Sequence, residues 1–242
     1  MSTRTAPWTA RQDRESDGRA RLLLKDEAYA RIRAYLLDEQ AGGSYSERAL
    51  AARLDLGLGP VRSALERLRA EGLILVSPNS GIRLPEITAR EILDFYELRL
   101  VIECHVVASL AGCLSAAQAE RIGEILDEQE ATSLRGDTTR YHELDLDFHT
   151  ALAAFHGNAE MERALRQLRD KMYRLARRMH RTHPERLAVN TAQHRGIFEA
   201  VRSGNPEEAQ ARMRTHLDWG RRFTLDPDQR LGTGWQQWTG EQ

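Results

Sequence analysis

The stretch from Gly57 to Ile74 constrains the fold of this chain most, because it combines a start signal, an apolar stripe and a stop signal for one helix. Pro60 suits the first turn of a helix, where its missing N–H is not needed, and Gly72 suits the left-handed residue after a helix end. The pattern predicts a helix from about Pro60 to Glu71. Its buried face would be the stripe Val61, Ala64, Leu65 and Leu68.

The flanking segments complete a small module. Residues 46–54 predict a second short helix with Ser46 as its N-cap, separated from the first only by residues 55–59. Two short helices joined by a tight turn that contains glycine are typical of a helix-turn-helix. Two apolar runs around Pro78 to Gly81 predict a β-hairpin, and Asp26 to Glu39 predicts a preceding helix.

After Thr88 the chain consists almost entirely of helix signals. Thr88 with Glu91 and Ser115 with Gln118 match capping boxes. The signals predict six or seven helices, at about 88–112, 115–134, 138–156, 158–180, 185–203 and 205–223. We therefore predict a mainly α chain, in which a winged helix-turn-helix is followed by an all-α antiparallel helical bundle. The predicted divisions are a flexible tail (1–20), the winged module (21–87), the bundle (88–223) and a C-terminal tail (224–242).

Composition excludes several classes of protein. A net charge of −1 over 242 residues argues against a general polyanion binder. No apolar run is long enough for a membrane span and the first residues lack a secretory signal, so we predict a cytoplasmic protein without membrane contact. Cys104 and Cys113 both fall in one apolar helical pattern, which predicts buried thiols rather than a disulfide or a metal pair.

Residues 26–87 resemble the winged helix-turn-helix of the GntR family of bacterial transcription regulators. The resemblance rests on Ser46-Glu47-Arg48, Pro60-Val61-Arg62, Ala64-Leu65, Leu68 and Glu71-Gly72-Leu73. It implies binding to a double-stranded DNA operator through Arg48 and Arg62, with Ser63 on the same outward face and a wing tip formed by Asn79, Ser80 and Gly81. Gly57-Leu58-Gly59 stands where the family usually has Ser-Arg-Thr, so an arginine that reads bases is missing and the operator sequence does not follow from the resemblance.

The eight histidines all lie in the second part of the chain. Asp145 and His149 are four residues apart, which places them on one helix face. His194 and His216 fall on the inward stripes of two later helices. Each one alone is more simply explained as a hydrogen-bonded core residue, but four such groups could also satisfy one another around a cation.

Residues 90–223 resemble the FCD domain, the all-helical ligand-binding domain of the FadR-like branch of the same family. This resemblance implies a divalent metal on Asp145, His149, His194 and His216, near a site for a small organic acid. Zinc is the default, and nickel, iron or manganese would suit the same donors. Gln193 stands where an acidic neighbour is common.

Arg99 lies on the apolar stripe of the first bundle helix, where a guanidinium needs an anionic partner. The family pattern implies a clamp for the carboxylate of an effector, and an internal pair with Glu103 is the alternative. Tyr141 and Asn190 face inward near the expected ligands and are candidate donors to the effector.

The sequence thus predicts a homodimeric DNA-binding regulator whose metal-containing bundle senses a small carboxylate. The alternatives are a metal-dependent hydrolase built on the same four residues, and a regulator of the same family whose effector pocket contains no metal. Trp235 and Trp238 in the C-terminal tail either dock on a protein surface or belong to a disordered extension.

Overall fold

A computed structural model describes residues 24–37, 43–77, 81–180 and 183–229. The chain divides into two compact units after Glu86. Asn79 and Ser80 of the predicted wing tip, and Trp235 and Trp238 of the predicted tail, lie outside the described residues.

The first unit contains three helices and a hairpin, as the sequence predicts. They are α1 (24–37), α2 (Glu47–Arg53), α3 (Leu58–Ala70), β1 (Leu75–Ser77) and β2 (Gly81–Arg83). The Ser46 side chain accepts a hydrogen bond from the backbone N–H of Ala49 and caps α2. The strands pair antiparallel with Val76 opposite Ile82. Tyr45 exchanges two backbone hydrogen bonds with Ile82, at 2.9 and 2.8 Å, and so fastens the hairpin to the start of α2.

Helix α3 begins two residues earlier than the proline signal suggests. Gly57 is its N-cap, in extended conformation, so Pro60 lies within the first turn and Leu58 is the first helical residue. Gly72 takes the left-handed conformation expected after the helix, with φ of 73°. The predicted stripe of Val61, Ala64, Leu65 and Leu68 is buried, which leaves the opposite face of α3 free for a partner.

The second unit is the predicted bundle. Its helices are α4 (Ala89–Leu110), α5 (Ala116–Arg135), α6 (Thr138–His156), α7 (Ala159–His180), α8 (Arg186–Arg202) and α9 (Pro206–Leu225). Both predicted capping boxes form, at Thr88 and at Ser115. Helix α4 packs along α9 and also touches α6, α7 and α8, so it runs through the middle of the bundle. Within the described residues, no helix is both long and apolar enough to cross a membrane.

The prediction of two buried thiols is wrong for one cysteine. Cys104 is buried, whereas Cys113 is exposed. Helix α4 ends at Leu110 and Gly112 turns the chain with φ of 72°, so the apolar stripe stops before Cys113. Both cysteines are free.

Candidate metal centre and DNA interface

Three histidines from three helices meet in the core of the bundle. His149 of α6, His194 of α8 and His216 of α9 each offer a ligand atom, and these atoms all lie within 4.8 Å of one another. Two ligands on opposite sides of one zinc-sized ion are about 4.2 Å apart at most, since each bond is about 2.1 Å long. Shifts of a few tenths of an ångström would therefore bring the three nitrogens onto one cation.

A side-chain oxygen stands next to the Nδ1 atom of each of these rings. His194 Nδ1 lies 2.9 Å from Gln129 Oε1, and His216 Nδ1 lies 3.0 Å from Gln193 Oε1. His149 Nδ1 lies 2.5 Å from Glu103 Oε2. For His194 and His216 the oxygen is a hydrogen-bond acceptor, which places the ring proton on Nδ1 and leaves Nε2 as a lone-pair donor, the arrangement of a metal ligand. The contact of His149 with Glu103 is short, but its angles are not those of a hydrogen bond.

The electrostatics also keep the rings of His194 and His216 neutral. Burial lowers the pKa of His194 well below 6.5, and the neighbouring His216 and His149 lower it further. Burial likewise lowers the pKa of His216 well below 6.5, reinforced by His149 and opposed by Glu103. Only a neutral imidazole can bind a metal, so the site is ready for a cation without losing a proton from either ring.

Two buried nitrogens of the cluster, His149 Nδ1 and His194 Nε2, have no hydrogen-bond partner among the described residues. His194 is fully buried, and the carboxylate oxygen nearest to its Nε2 is Asp145 Oδ1, 3.6 Å away. An unsatisfied buried polar atom costs about 1–3 kcal/mol, and a cation between these two atoms would remove that cost. The three histidines thus fit a metal with nitrogen ligands, whereas the predicted fourth ligand, Asp145, stands beside His194 and is not part of the cluster in which all ligand atoms lie within 4.8 Å.

Two of the predicted effector residues, Tyr141 and Asn190, form a chain of hydrogen bonds that ends at Asp145. Asn190 Nδ2 donates to Asp145 Oδ1 at 2.7 Å and to the Tyr141 hydroxyl at 3.0 Å. The Tyr141 hydroxyl in turn donates to the carbonyl of Leu187 at 3.0 Å. Asn190 lines the central cavity, whereas Tyr141 does not. Tyr141 therefore orients Asn190, and Asn190 orients the carboxylate.

Arg99 is paired internally, which is the alternative that the sequence leaves open. Its Nε lies 2.5 Å from Glu103 Oε1, and both side chains are almost fully buried. Burial alone would raise the pKa of Glu103, but the charge of Arg99, together with the contact to His149, outweighs it and holds the pKa well below its usual value. Arg99 also lines a cavity of about 20 Å³, together with Asp145, His149, Asn190, His216, Phe95, Tyr96, Met172, Ala176, Met179 and Gly220. That volume holds about one water molecule.

Sequence reasoning missed the side chains that hold the histidines and a second histidine pair. Gln129 is fully buried in α5, in line with Ile122, Ile125 and Leu126, so an inward glutamine was a visible signal. Gln193 stands where an acidic residue is common in the family, and its side-chain oxygen still accepts a hydrogen bond from His216. His142 Nε2 and His180 Nδ1 lie 3.1 Å apart and are buried, although no spacing rule links them.

The predicted DNA contacts of the first unit lie on its surface. Arg48 and Arg62 are exposed, and Ser63 is half-buried. Arg62 Nε lies 2.8 Å from Glu47 Oε2, so the start of α2 fixes the direction of an arginine on α3. A groove of about 340 Å³ separates α3 from the hairpin, with Arg62 and Arg69 on one wall and Val76 and Gly81 on the other. An outward basic helix beside a hairpin can read a major groove while the hairpin tip follows the backbone.

Together these units define a class of protein: a transcription regulator with a winged helix-turn-helix and a separate helical domain. The family model for bacterial regulatory proteins of the gntR family matches residues 24–84, and that for the FCD domain matches residues 94–218. The chain belongs to the GntR family, in its FadR-like branch with an FCD domain. This membership decides against the hydrolase alternative, because the family consists of DNA-binding regulators that are not enzymes.

Relatives agree with this membership along most of the chain. An HTH-type transcriptional regulator from an unstable DNA locus of Streptomyces ambofaciens is 30% identical over 191 residues, 78% of this chain and 80% of that protein. The HTH-type transcriptional repressor GlaR of Escherichia coli (strain K12) is 30% identical over 181 residues, 69% of this chain and 80% of that protein. A putative GntR regulator from Rhodococcus sp. RHA1 has the same fold, with a TM-score of 0.72 at 24% identity, and the match covers 85% of this chain and 99% of that one.

Proposed function

We propose that the helical domain binds a divalent cation through Asp145, His149, His194 and His216 and senses a small carboxylate. One observation carries the proposal: each of the three rings has a side-chain oxygen at Nδ1, and His194 Nε2 is buried without a partner among the described residues. Zinc is the default by affinity and availability, and nickel, iron or manganese would suit the same donors.

The effector site is proposed on the Arg99 side of the same cavity. A cation held there would supply positive charge, and it would accept a carboxylate oxygen if its coordination expanded beyond the four protein ligands. Arg99 supplies a second anchor and Asn190 lines the cavity beside it, while Tyr141 acts from behind by orienting Asn190. A bidentate guanidinium contact is suited to a planar carboxylate.

The regulator is proposed to act as a homodimer in the cytoplasm on a palindromic operator. Two winged modules must reach successive major grooves, about 34 Å apart or a multiple of that. The DNA contacts would come from Arg48, Arg62 and Ser63, and from the wing at residues 79–81. Effector binding that changes the spacing of the two modules would change operator affinity, with a coupling of roughly 1–3 kcal/mol.

Metal analysis of the purified full chain tests the first part. We expect about one zinc-class ion per chain after purification without chelators. The variants His149→Ala and His216→Ala should lose it, whereas His105→Ala, an exposed histidine on α4, should keep it. Equal metal content in all four proteins would refute the metal site and favour the reading in which these histidines are core residues.

A DNA mobility assay tests the second part. The full chain should shift DNA from upstream of its own gene, and a panel of small organic acids should contain at least one that alters the shift. The effect of that acid should disappear in Arg99→Leu. No binding to any segment of its own locus would contradict the operator proposal.

A further inference from the structure

Glu103 occupies a special position between the candidate metal centre and the candidate effector site. It is 2% exposed, on the inward face of α4. Its Oε1 lies 2.5 Å from Arg99 Nε, and its Oε2 lies 2.5 Å from His149 Nδ1 and 3.4 Å from Arg99 Nη2. One buried carboxylate therefore contacts a cation on one side and a candidate metal ligand on the other.

Glu103 differs in charge from the two groups that hold the other rings. Gln129 and Gln193 are neutral amides, so their oxygens orient His194 and His216 without adding charge. A carboxylate next to Nδ1 does more, because it makes the opposite ring nitrogen a stronger electron donor. The strength of His149 as an electron donor to a metal therefore depends on how closely the Glu103 carboxylate contacts its Nδ1.

Arg99 competes for that same charge. Glu103 is its anionic partner in the buried pair, and it engages two of the three guanidinium nitrogens, Nε and Nη2. A stronger contact of Glu103 with one partner weakens its contact with the other, since the carboxylate carries a single negative charge. The two contacts are far stronger in the bundle core than they would be in water, because the surroundings are less polarisable.

We propose that Glu103 is a positioning residue that couples occupation of the metal ligands to the availability of Arg99 for an anion. This inference rests on the proposed metal site. A His149 ring that binds a cation through Nε2 is a stronger Nδ1 donor, so it draws Glu103 toward itself and loosens Arg99. By reciprocity, an anion that neutralises Arg99 leaves more of the Glu103 charge for His149, and the metal binds more tightly.

Zinc affinity of the full chain tests the coupling, with Zn²⁺ as the only added ligand and a chromophoric chelator as competitor. Glu103→Gln keeps an oxygen acceptor for His149 but removes the charge, so the dissociation constant for Zn²⁺ should rise roughly 10- to 100-fold. Arg99→Gln keeps a donor for Glu103 but removes the competing cation, so the constant should fall roughly fivefold. The opposite directions are the signature, because damage to the packing would weaken binding in both variants.

Two controls separate the effect of the Glu103 contact from a general change of charge and from the loss of a metal ligand. Glu97→Gln makes the same change of charge at an exposed position of the same helix, and it should leave the constant within about twofold. The Co²⁺ absorption spectrum should have the same shape in Glu103→Gln as in the unchanged protein, because all four ligands remain. Loss of a ligand, as in His149→Ala, should change that shape or abolish the absorption altogether.

The outcomes separate the two proposals. No binding of Zn²⁺ by the unchanged protein overturns the metal site and this inference with it. Normal binding with equal constants in Glu103→Gln and Glu97→Gln overturns the inference alone, as does weaker binding in both Glu103→Gln and Arg99→Gln. Should Glu103→Gln fail to fold, Arg99→Gln decides: tighter binding supports the coupling and weaker binding overturns it.

Discussion

Acid should destabilise the metal-free bundle through its buried histidines, and His142 allows the size of the effect to be calculated. Its pKa is lowered from 6.5 to about 4, mainly by burial and against the opposing charge of Asp145. The unfolded chain therefore takes up this proton near pH 6.5 and the folded chain only near pH 4. The stability that depends on neutral His142 is present above pH 6.5 and is lost as the pH falls toward 4.

One pKa unit corresponds to about 1.4 kcal/mol, so the whole effect of His142 is roughly 3 kcal/mol. Between pH 7.5 and pH 5.0 about 2 kcal/mol of it is lost. His142→Gln removes the titrating group, and its free energy of unfolding should fall by about 2 kcal/mol less than that of the unchanged protein over this range. The remaining acid sensitivity comes from His180, His194 and His216, whose pKa values are also lowered by burial.

Urea unfolding followed by circular dichroism, with EDTA present at both pH values, measures this difference. Tyr141→Phe is the matched control, because it removes a buried hydrogen-bonding group from the neighbouring position without removing a histidine. Its stability should be lower at both pH values, but its pH dependence should run parallel to that of the unchanged protein. If the free energy of unfolding of His142→Gln also fell in parallel with that of the unchanged protein, the assignment of acid sensitivity to this buried ring would be refuted.

Three further outcomes follow from particular contacts. In a mobility assay, Arg62→Ala should weaken operator binding about tenfold and reduce the slope of log affinity against log salt concentration by about one. Arg31→Ala on α1 should change neither the affinity nor the slope. Gly81→Ala should cost the first unit about 1–3 kcal/mol in thermal unfolding, because φ is 68° and a Cβ would lie 2.5 Å from Ser44 Oγ. Gly72→Ala, with similar φ and nothing within 4 Å, should cost less. Gln129→Leu should weaken Zn²⁺ binding 10- to 100-fold, and an unchanged constant would contradict a role in holding His194.

The local signals in the sequence predicted most of the fold, because they depend on neighbouring residues. Ser46, Thr88 and Ser115 cap helices through backbone groups three residues away, and these contacts form as expected. The start of α3 was misplaced because Pro60 is tolerated anywhere in the first turn, and Gly57 had already begun the helix.

The candidate site was only partly predictable, because it depends on five helices that meet in space. Spacing paired Asp145 with His149, inward position singled out His194 and His216, and only the resemblance to the FCD domain joined the four into one predicted site. Spacing could propose that Arg99 pairs with Glu103, since both lie on α4. It could not show that Glu103 also reaches His149 on α6, or that Gln129 of α5 meets His194 of α8. Such contacts depend on how the helices pack, which no periodicity within one helix specifies.

The small cavity beside Arg99 has a consequence for recognition. With room for about one water molecule, it admits an organic guest only if some of its lining side chains move, and three of these, Met172, Ala176 and Met179, lie on α7. The free energy of that rearrangement is then subtracted from the intrinsic affinity of every guest. A molecule small enough to fit without that rearrangement would bind and leave the conformation of the bundle unchanged.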